Sequence, residues 1–512
     1  METPLSRRSY VALAGATGLS AFGGCAETNA RPESGRDAGS DGEGEVEDGN
    51  SETNSNALDD AASTFADGWS TFRGDAARTG VRPGEAGPGD SVSVSWELTT
   101  AALVADLEGI DAPSETSAPR SIATSSPILT VEHVVWTVAY DFDPETGDRE
   151  GTIRLLAATR GGGEIAWSQE AGKEDEVSYF RHAPAIDGSA LYVPFSSEGD
   201  IGIAVFDPMT GEQWDRFEFG LSPTAGHPLV VDGTIYVRDG GDRRGKLRAF
   251  DAETGRSLWS VECAHPDAAR PGLTATEGTI QYFSRANPDE CEYVARARSD
   301  GAERWRAPID LPASRVLRPG SPTVLSSPTV VGGSAYASGT LDAMLQRDTA
   351  PLVSFDPETG EERWQYEPSG LESDDDPTVG PNTPQKVIDQ LPPFAAIYGY
   401  PVIVDGLAVV TGYGDPADGS NENGSETGSY VFAVDTDDGS LAWTLAIDAP
   451  SFSPVAAGNV VYVSTDEGVV AVSTSGERLD SASIGLPVVG QSPAIGGGTL
   501  FVPTIEGLVA LE

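Results

Sequence analysis

Eight times along the chain a proline opens a short β-rich unit: Pro127, Pro184, Pro228, Pro271, Pro328, Pro401, Pro454 and Pro493. These prolines stand 57, 44, 43, 57, 73, 53 and 39 residues apart. Self-similarity at such a period is the signature of a propeller or a solenoid, so architecture is constrained before any single residue is weighed. Propellers present one or two working faces, and function is then sought where the repeat is broken.

The fifth unit shows the pattern. It reads SSPTVVGGSAYAS, an inserted loop, then PLVSFDPETGEERWQYE. Alternation of apolar with small or polar residues has the period of strands. Proline is tolerated at the head of a first strand, where no ladder hydrogen bond is owed. Asp and Pro pre-set the turn DPETG, and its glycine supplies the positive φ at which the chain reverses. The same turn followed by tryptophan recurs as Gly163 to Trp167, Gly211 to Trp214, Gly255 to Trp259, Gly301 to Trp305, Gly360 to Trp364 and Gly439 to Trp443. In the seventh unit Leu479 stands in the tryptophan place. The eighth unit ends at GLVALE without a fourth strand, whereas SVSVSWEL, carrying Trp96, precedes the first complete unit. The expected fold is therefore all-β: an eight-bladed propeller of four-stranded antiparallel blades. It is closed by pairing this N-terminal strand with the C-terminal blade, so that no sheet edge stays open around the ring. The recurrent tryptophans read as packing between blades.

Residues 1–25 read as an address. Arg7 and Arg8 stand in SRRSYV, which resembles a twin-arginine export motif, and an apolar stretch too short to span a bilayer follows. The stretch ends at Phe22-Gly23-Gly24-Cys25, which resembles a lipobox with Cys25 as the lipidated residue; an ordinary signal peptide is the alternative. Residues 26–66 are rich in Gly, Ser, Asp, Glu and Asn, the composition of a solvated, disordered tether. Residues 67–512 form the propeller. The expected location is the outer face of the cytoplasmic membrane, held by a lipid anchor.

The formal charge is −48, with three lysines among 32 basic residues. Such a surface repels phosphate backbones and argues against nucleic-acid partners. It also resembles the acid-rich, lysine-poor surfaces of extreme halophiles. Besides Cys25 the chain has Cys263 and Cys291. In an oxidising compartment they are a candidate disulfide across the join of two blades; two separate half-buried thiols are the other reading.

The turns DPETGEERW and DAETGRSLW resemble the pyrroloquinoline-quinone (PQQ) repeat family of β-propellers, and the resemblance covers nearly all of the chain from Trp69. The segment WSTFRGDAARTG resembles the part that leads into blade closure in that family. The resemblance implies the fold. It also raises a quinoprotein oxidoreductase as an alternative, with PQQ and Ca²⁺ as cofactors. Members with that activity carry adjacent cysteines covering the quinone and Glu, Asn and Asp ligands for calcium. The chain has no Cys-Cys, and no position carries over as a ligand, so no cofactor is expected.

The first–second and third–fourth turns of each blade are short, and insertions fall on the other face, within 99–125, 141–150, 170–181, 239–245, 284–289, 309–326, 339–350, 367–398 and 412–429. A rigid scaffold that varies its loops on one face presents a binding surface there. Residues 238–318 hold 14 basic and 13 acidic residues, against a large acidic excess elsewhere. Arg238, Arg243, Arg244, Lys246, Arg285, Arg315 and Arg318 are the candidate ligand-binding residues of this loop-rich crown. Guanidinium groups suit carboxylates and phosphates; pairing with Asp239, Asp242 and Asp289 is the alternative. His133, His182, His227 and His265 are scattered, and Asp415, Asp418, Asn421 and Asn423 lack the spacing of a calcium loop. The sequence reading is a monomeric, exported, lipid-anchored scaffold that binds a protein, or a surface glycan or other polyanion, without catalysing a reaction.

Overall fold

Six of the eight sheets have four strands and two have five, and within a blade the first–second and third–fourth reversals are tight while the second–third connection carries the insertions. In the turn after the third strand of blade 5, Asp356 Oδ1 accepts from the N–H groups of Glu358 and Thr359 at 2.8 and 3.1 Å. The Gly360 N–H donates back to the Asp356 carbonyl at 2.8 Å, with φ of 77°. The aspartate nucleates the turn and the glycine completes it in the left-handed region. A bulge follows, since register shifts between Ser354 and Phe355, and it returns at the same place in the other blades. Such bulges add twist to an already twisted sheet.

The computed structural model describes residues 70–75, 78–82, 87–103, 120–141, 151–173, 183–197, 200–219, 228–239, 245–263, 272–287, 290–310, 325–339, 351–367, 396–414, 428–447, 452–486, 488 and 492–512. All belong to one compact unit, Ala57–Glu512. Residues 1–25 and 26–66, with Cys25 and Trp69, lie outside the described residues.

Eight antiparallel sheets form the ring, each running from an innermost strand outward in chain order. Blade 1 runs from Ile128–Leu129 to Ile165–Lys173, and blade 2 from Ala185–Asp187 to Gln213–Glu218. Blade 3 runs from Leu229–Val231 to Ser257–Cys263, and blade 4 from Thr274–Ala275 to Glu303–Ile309. Blade 5 runs from Thr329–Val331 to Glu362–Tyr366, and blade 6 from Ala396–Val404 to Leu441–Ile447. Blade 7 spans Val455–Ala457 to Arg478–Ser483. Blade 8 takes its three inner strands from Ala494–Leu511 and its outermost strand from Val94–Thr99, which pairs antiparallel with Gly507–Leu511. The ring closes as the repeat requires.

Between blades, the tryptophan of one fourth strand covers the turn glycine of the next blade. A Cβ on Gly163 would stand 2.8 Å from Trp96 Cδ2, and one on Gly439 equally close to Trp364 Cδ2. Trp96 Nε1 donates to the Arg160 carbonyl, Trp259 to Arg298, Trp364 to Thr436 and Trp443 to Thr474, at 2.9–3.0 Å. Each contact joins a large apolar burial to one satisfied polar handle. Trp305 packs on Gly360 and Trp167 on Gly211, although Trp167 Nε1 meets no acceptor among the described residues.

Two blades depart from this rule, and both correct the sequence reading. Trp214 is 49 % exposed, and Phe217 covers Gly255 in its stead. The register explains it: Val205 faces Asp215, where Ala249 faces Trp259 and Ala433 faces Trp443. Trp214 stands one residue early, and a one-residue slip turns a side chain to the opposite face of its strand. In blade 7 the residue facing Ala471 is Asp480, not Leu479. Leu479 instead packs at the edge of the cluster between blades 7, 8 and 1.

Candidate functional site

The axis of the ring is filled by the chain itself. Ser70 accepts through its carbonyl from Ile186 N–H of blade 2 at 2.7 Å, and Gly80 through its own from Ala456 N–H of blade 7 at 2.9 Å. Val81–Arg82 then pairs parallel with Val455–Ala457, the innermost strand of blade 7. A segment that bonds to innermost strands of non-adjacent blades, three positions apart in the ring, lies toward its axis.

Two arginines anchor this segment, and both are fully buried. Arg73 donates from Nη1 to the Pro454 carbonyl and from Nη2 to the Pro401 carbonyl, each at 3.0 Å, and from Nε to Arg78 O at 3.3 Å. Arg78 donates from Nε to Leu273 O at 3.2 Å, and from Nη1 to Phe72 O at 2.9 Å and Thr71 Oγ1 at 3.4 Å. Thr329 Oγ1 donates to Arg78 O at 3.2 Å. The plug thereby reaches blades 4, 5, 6 and 7 as well as blade 2. Phe72 and Tyr400 rings meet edge-on at 5.1 Å and flank the two guanidinium groups. Burial pulls each arginine down to about 10, with Asp75 opposing the shift, so both remain cations at neutral pH. Asp75 itself is engaged by Thr79, through N–H at 3.1 Å and Oγ1 at 2.6 Å. Among the described residues no carboxylate forms an ion pair with either guanidinium.

The proline-headed strands explain this geometry. Each innermost strand starts on the crown face, where the interblade connections arrive, so the carbonyl of Pro454, just ahead of Val455–Ala457, sits at the crown end of the axis; Pro401 lies inside Ala396–Val404, where the register breaks between Tyr398 and Val402. Val81–Arg82 runs alongside Val455–Ala457 toward the short-turn face. There Tyr462 Oη accepts from Gly89 N–H at 3.0 Å, and Asp480 Oδ2 accepts from Val92 N–H at 3.0 Å. The Val92 N–H holds the Asp480 carboxyl below its ordinary range. Asp480 thus stands in a tryptophan position because the incoming chain passes there on its way to blade 8. WSTFRGDAARTG is accordingly more than a lead into closure: it plugs the channel. The sequence reading missed Arg73 and Arg78, and the available signal was two arginines within a short glycine-bounded stretch of a strongly acidic chain.

The crown candidates separate. Arg238 is 2 % exposed; it donates from Nη1 to Phe283 O at 2.8 Å and lies 4.8 Å over the Tyr282 ring. It is a joint between blades 3 and 4, not a surface residue, because its strand position faces the next blade. Lys246 is exposed on the third strand of blade 3, opposite Glu262. Arg285 lies on the strand Thr279–Asn287 of blade 4, paired with Cys291. Arg243, Arg244, Arg315, Arg318 and the acidic loop with Asp415, Asp418, Asn421 and Asn423 lie outside the described residues. So do His182, His227 and His265. His133 is buried, and burial lowers its imidazole below the ordinary value.

Cys263 and Cys291 are both buried thiols rather than a disulfide. Cys263 packs between blades 3 and 4, and Cys291 between blades 4 and 5. The described residues do not fit PQQ with Ca²⁺: the cysteines are not adjacent, no group of three metal-ligating side chains comes together, and Arg73 and Arg78 fill the axis. No reaction step is derived through that group.

The fold and plug define an eight-bladed β-propeller of the PQQ-like repeat class. Residues 149–373 and 350–512 match the family described as outer membrane protein assembly factor BamB, and the chain belongs to this family. It is similar to the outer membrane protein assembly factor BamB of Yersinia pestis, with 24 % identity over 349 residues, covering 67 % of this chain and 76 % of the relative. Among solved structures it resembles a quinohemoprotein alcohol dehydrogenase from Pseudomonas putida (TM-score 0.54, 12 % identity, 88 % of this chain and 81 % of that one). It also resembles a europium-containing methanol dehydrogenase (TM-score 0.52, 14 % identity, 87 % and 91 %). At these identities the two structures speak for the fold alone.

Proposed function

We propose that this protein is an exported, lipid-anchored scaffold that binds a protein partner through its crown. One observation carries the reading: the chain fills its own axis with a segment pinned by Arg73 and Arg78, which leaves the variable loops of the crown as the working surface. Membership of a family described as an assembly factor supports a protein partner. The partner's class is expected to be an exported or membrane protein, with an acidic segment facing the basic stretch 238–318. The motif around Arg7 and Arg8 supports twin-arginine export, and Cys25 supports a lipid anchor on the outer face of the cytoplasmic membrane.

Crosslinking in native membranes at high salt tests this. The wild-type protein should capture a stoichiometric partner, and reversing the charge of Arg243 and Arg244 should weaken the capture. Tight one-to-one binding of PQQ with Ca²⁺, accompanied by dye-linked alcohol oxidation, would overturn the reading in favour of an oxidoreductase. Anchoring is tested separately: Cys25→Ser should move the protein from membrane to soluble fraction.

A further inference from the structure

Arg78 is buried to 1 % exposure, and one of its nitrogens is unused. Its Nε and Nη1 donate to Leu273 O, Phe72 O and Thr71 Oγ1, but among the described residues Nη2 meets no acceptor. Neighbouring Arg73, by contrast, places all three of its nitrogens on carbonyl oxygens. The crown end of the axis therefore holds two cations, with Asp75 committed to Thr79. An unmade hydrogen bond on a buried charged group is among the costliest defects a fold can carry, and the two like charges are offset by a single nearby carboxylate, Asp75.

We propose that the axial plug binds one small monatomic anion of the halide class, with Arg78 Nη2 as its principal donor. An anion at this nitrogen satisfies the donor and offsets the charge of both guanidinium groups, whereas a neutral water would satisfy the donor alone. The donor set selects the size of the ligand. Carboxylate and phosphate are recognised by two parallel N–H groups from adjacent nitrogens, and Arg78 has only one nitrogen left. The Arg73 fork is closed, since its Nη2 lies 2.3 Å from where a Cβ on Gly80 would stand, and its nitrogens are already taken. The anion would thus be a structural part of the plug, tying the axis to the innermost strands.

Bromide is the probe. Crystals of the full chain soaked in bromide should show an anomalous peak beside Arg78 Nη2; water alone at that nitrogen would overturn the proposal. In solution, replacing gluconate by chloride at constant ionic strength should raise the melting temperature of the wild type, and Arg78→Met should abolish the difference. A chloride effect that persists undiminished in Arg78→Met would place the ion elsewhere and likewise overturn it. Should Arg78→Met fail to fold, the bromide soak of the wild type decides alone.

Discussion

Arg73 donates from Nη2 to the carbonyl oxygen of Pro401 at 3.0 Å, across 328 residues of chain. A second bond from the same guanidinium reaches Pro454, so one side chain ties the innermost part of blades 6 and 7 to the N-terminal segment. Arg73→Ala removes three buried hydrogen bonds from a charged donor and leaves the Pro454 carbonyl without one, while Thr329 Oγ1 still reaches Arg78 O and Pro401 O at 3.2 and 3.5 Å. At about 1.5–3 kcal/mol for each bond made by a charged group, a loss of roughly 3 kcal/mol or more is expected. Urea unfolding of the variant against wild type measures it; a change within about 0.5 kcal/mol would show that the plug is not what holds the ring.

The register of blade 2 makes a contrast within one residue type. Trp259→Ala removes a side chain packed over Gly301 and bonded to Arg298 O, and should cost about 3–5 kcal/mol. Trp214→Ala, on the solvent side of its strand, should stay within about 0.5 kcal/mol. Thermal melts of the pair settle it, and equal losses would refute the register.

Asp466, in the crown turn of blade 7, has a buried Oδ1 without a hydrogen-bond partner among the described residues, and burial beside Glu467 pushes its carboxyl up to about 6. A carboxyl whose pKa is higher folded than unfolded binds protons more tightly in the native state. Stability from this group is therefore full below about pH 4 and is lost as pH rises through about 6. Asp466→Asn should stabilise the protein near neutral pH by about 1 kcal/mol, the group being partly solvated. It should also flatten the change of melting temperature between pH 4 and pH 7. An unchanged pH profile in the variant would count against the assignment.

Cys263 and Cys291 lie in different interblade clusters. Reductant should leave the melting temperature unchanged, and a thiol reagent should label neither residue until the protein unfolds. A lowered melting temperature in reductant would reveal a bridge.

The ring was legible because its determinants are local. A proline at a strand head, an aspartate that caps its own turn and a glycine at φ of 77° act within a few residues, and they recur with the period of the blade. The closing strand with Trp96 was legible for a related reason: eight blades of four strands leave one strand missing at one terminus and one surplus at the other. The partners of Arg73, Arg78, Arg238 and Asp480 were not legible. Nothing in the spacing of Arg238 separates a crown cation from one that donates to Phe283 O in the next blade.

By itself the sequence determined the repeat, the number of blades and the way the ring shuts, since each follows from turns and alternation read along a single strand. Only the tertiary structure decided what occupies the axis, which residue covers Gly255 and why Asp480 replaces a tryptophan. Those contacts join residues tens to hundreds of positions apart, and they depend on strand register, in which a shift of one residue exchanges the buried and exposed faces.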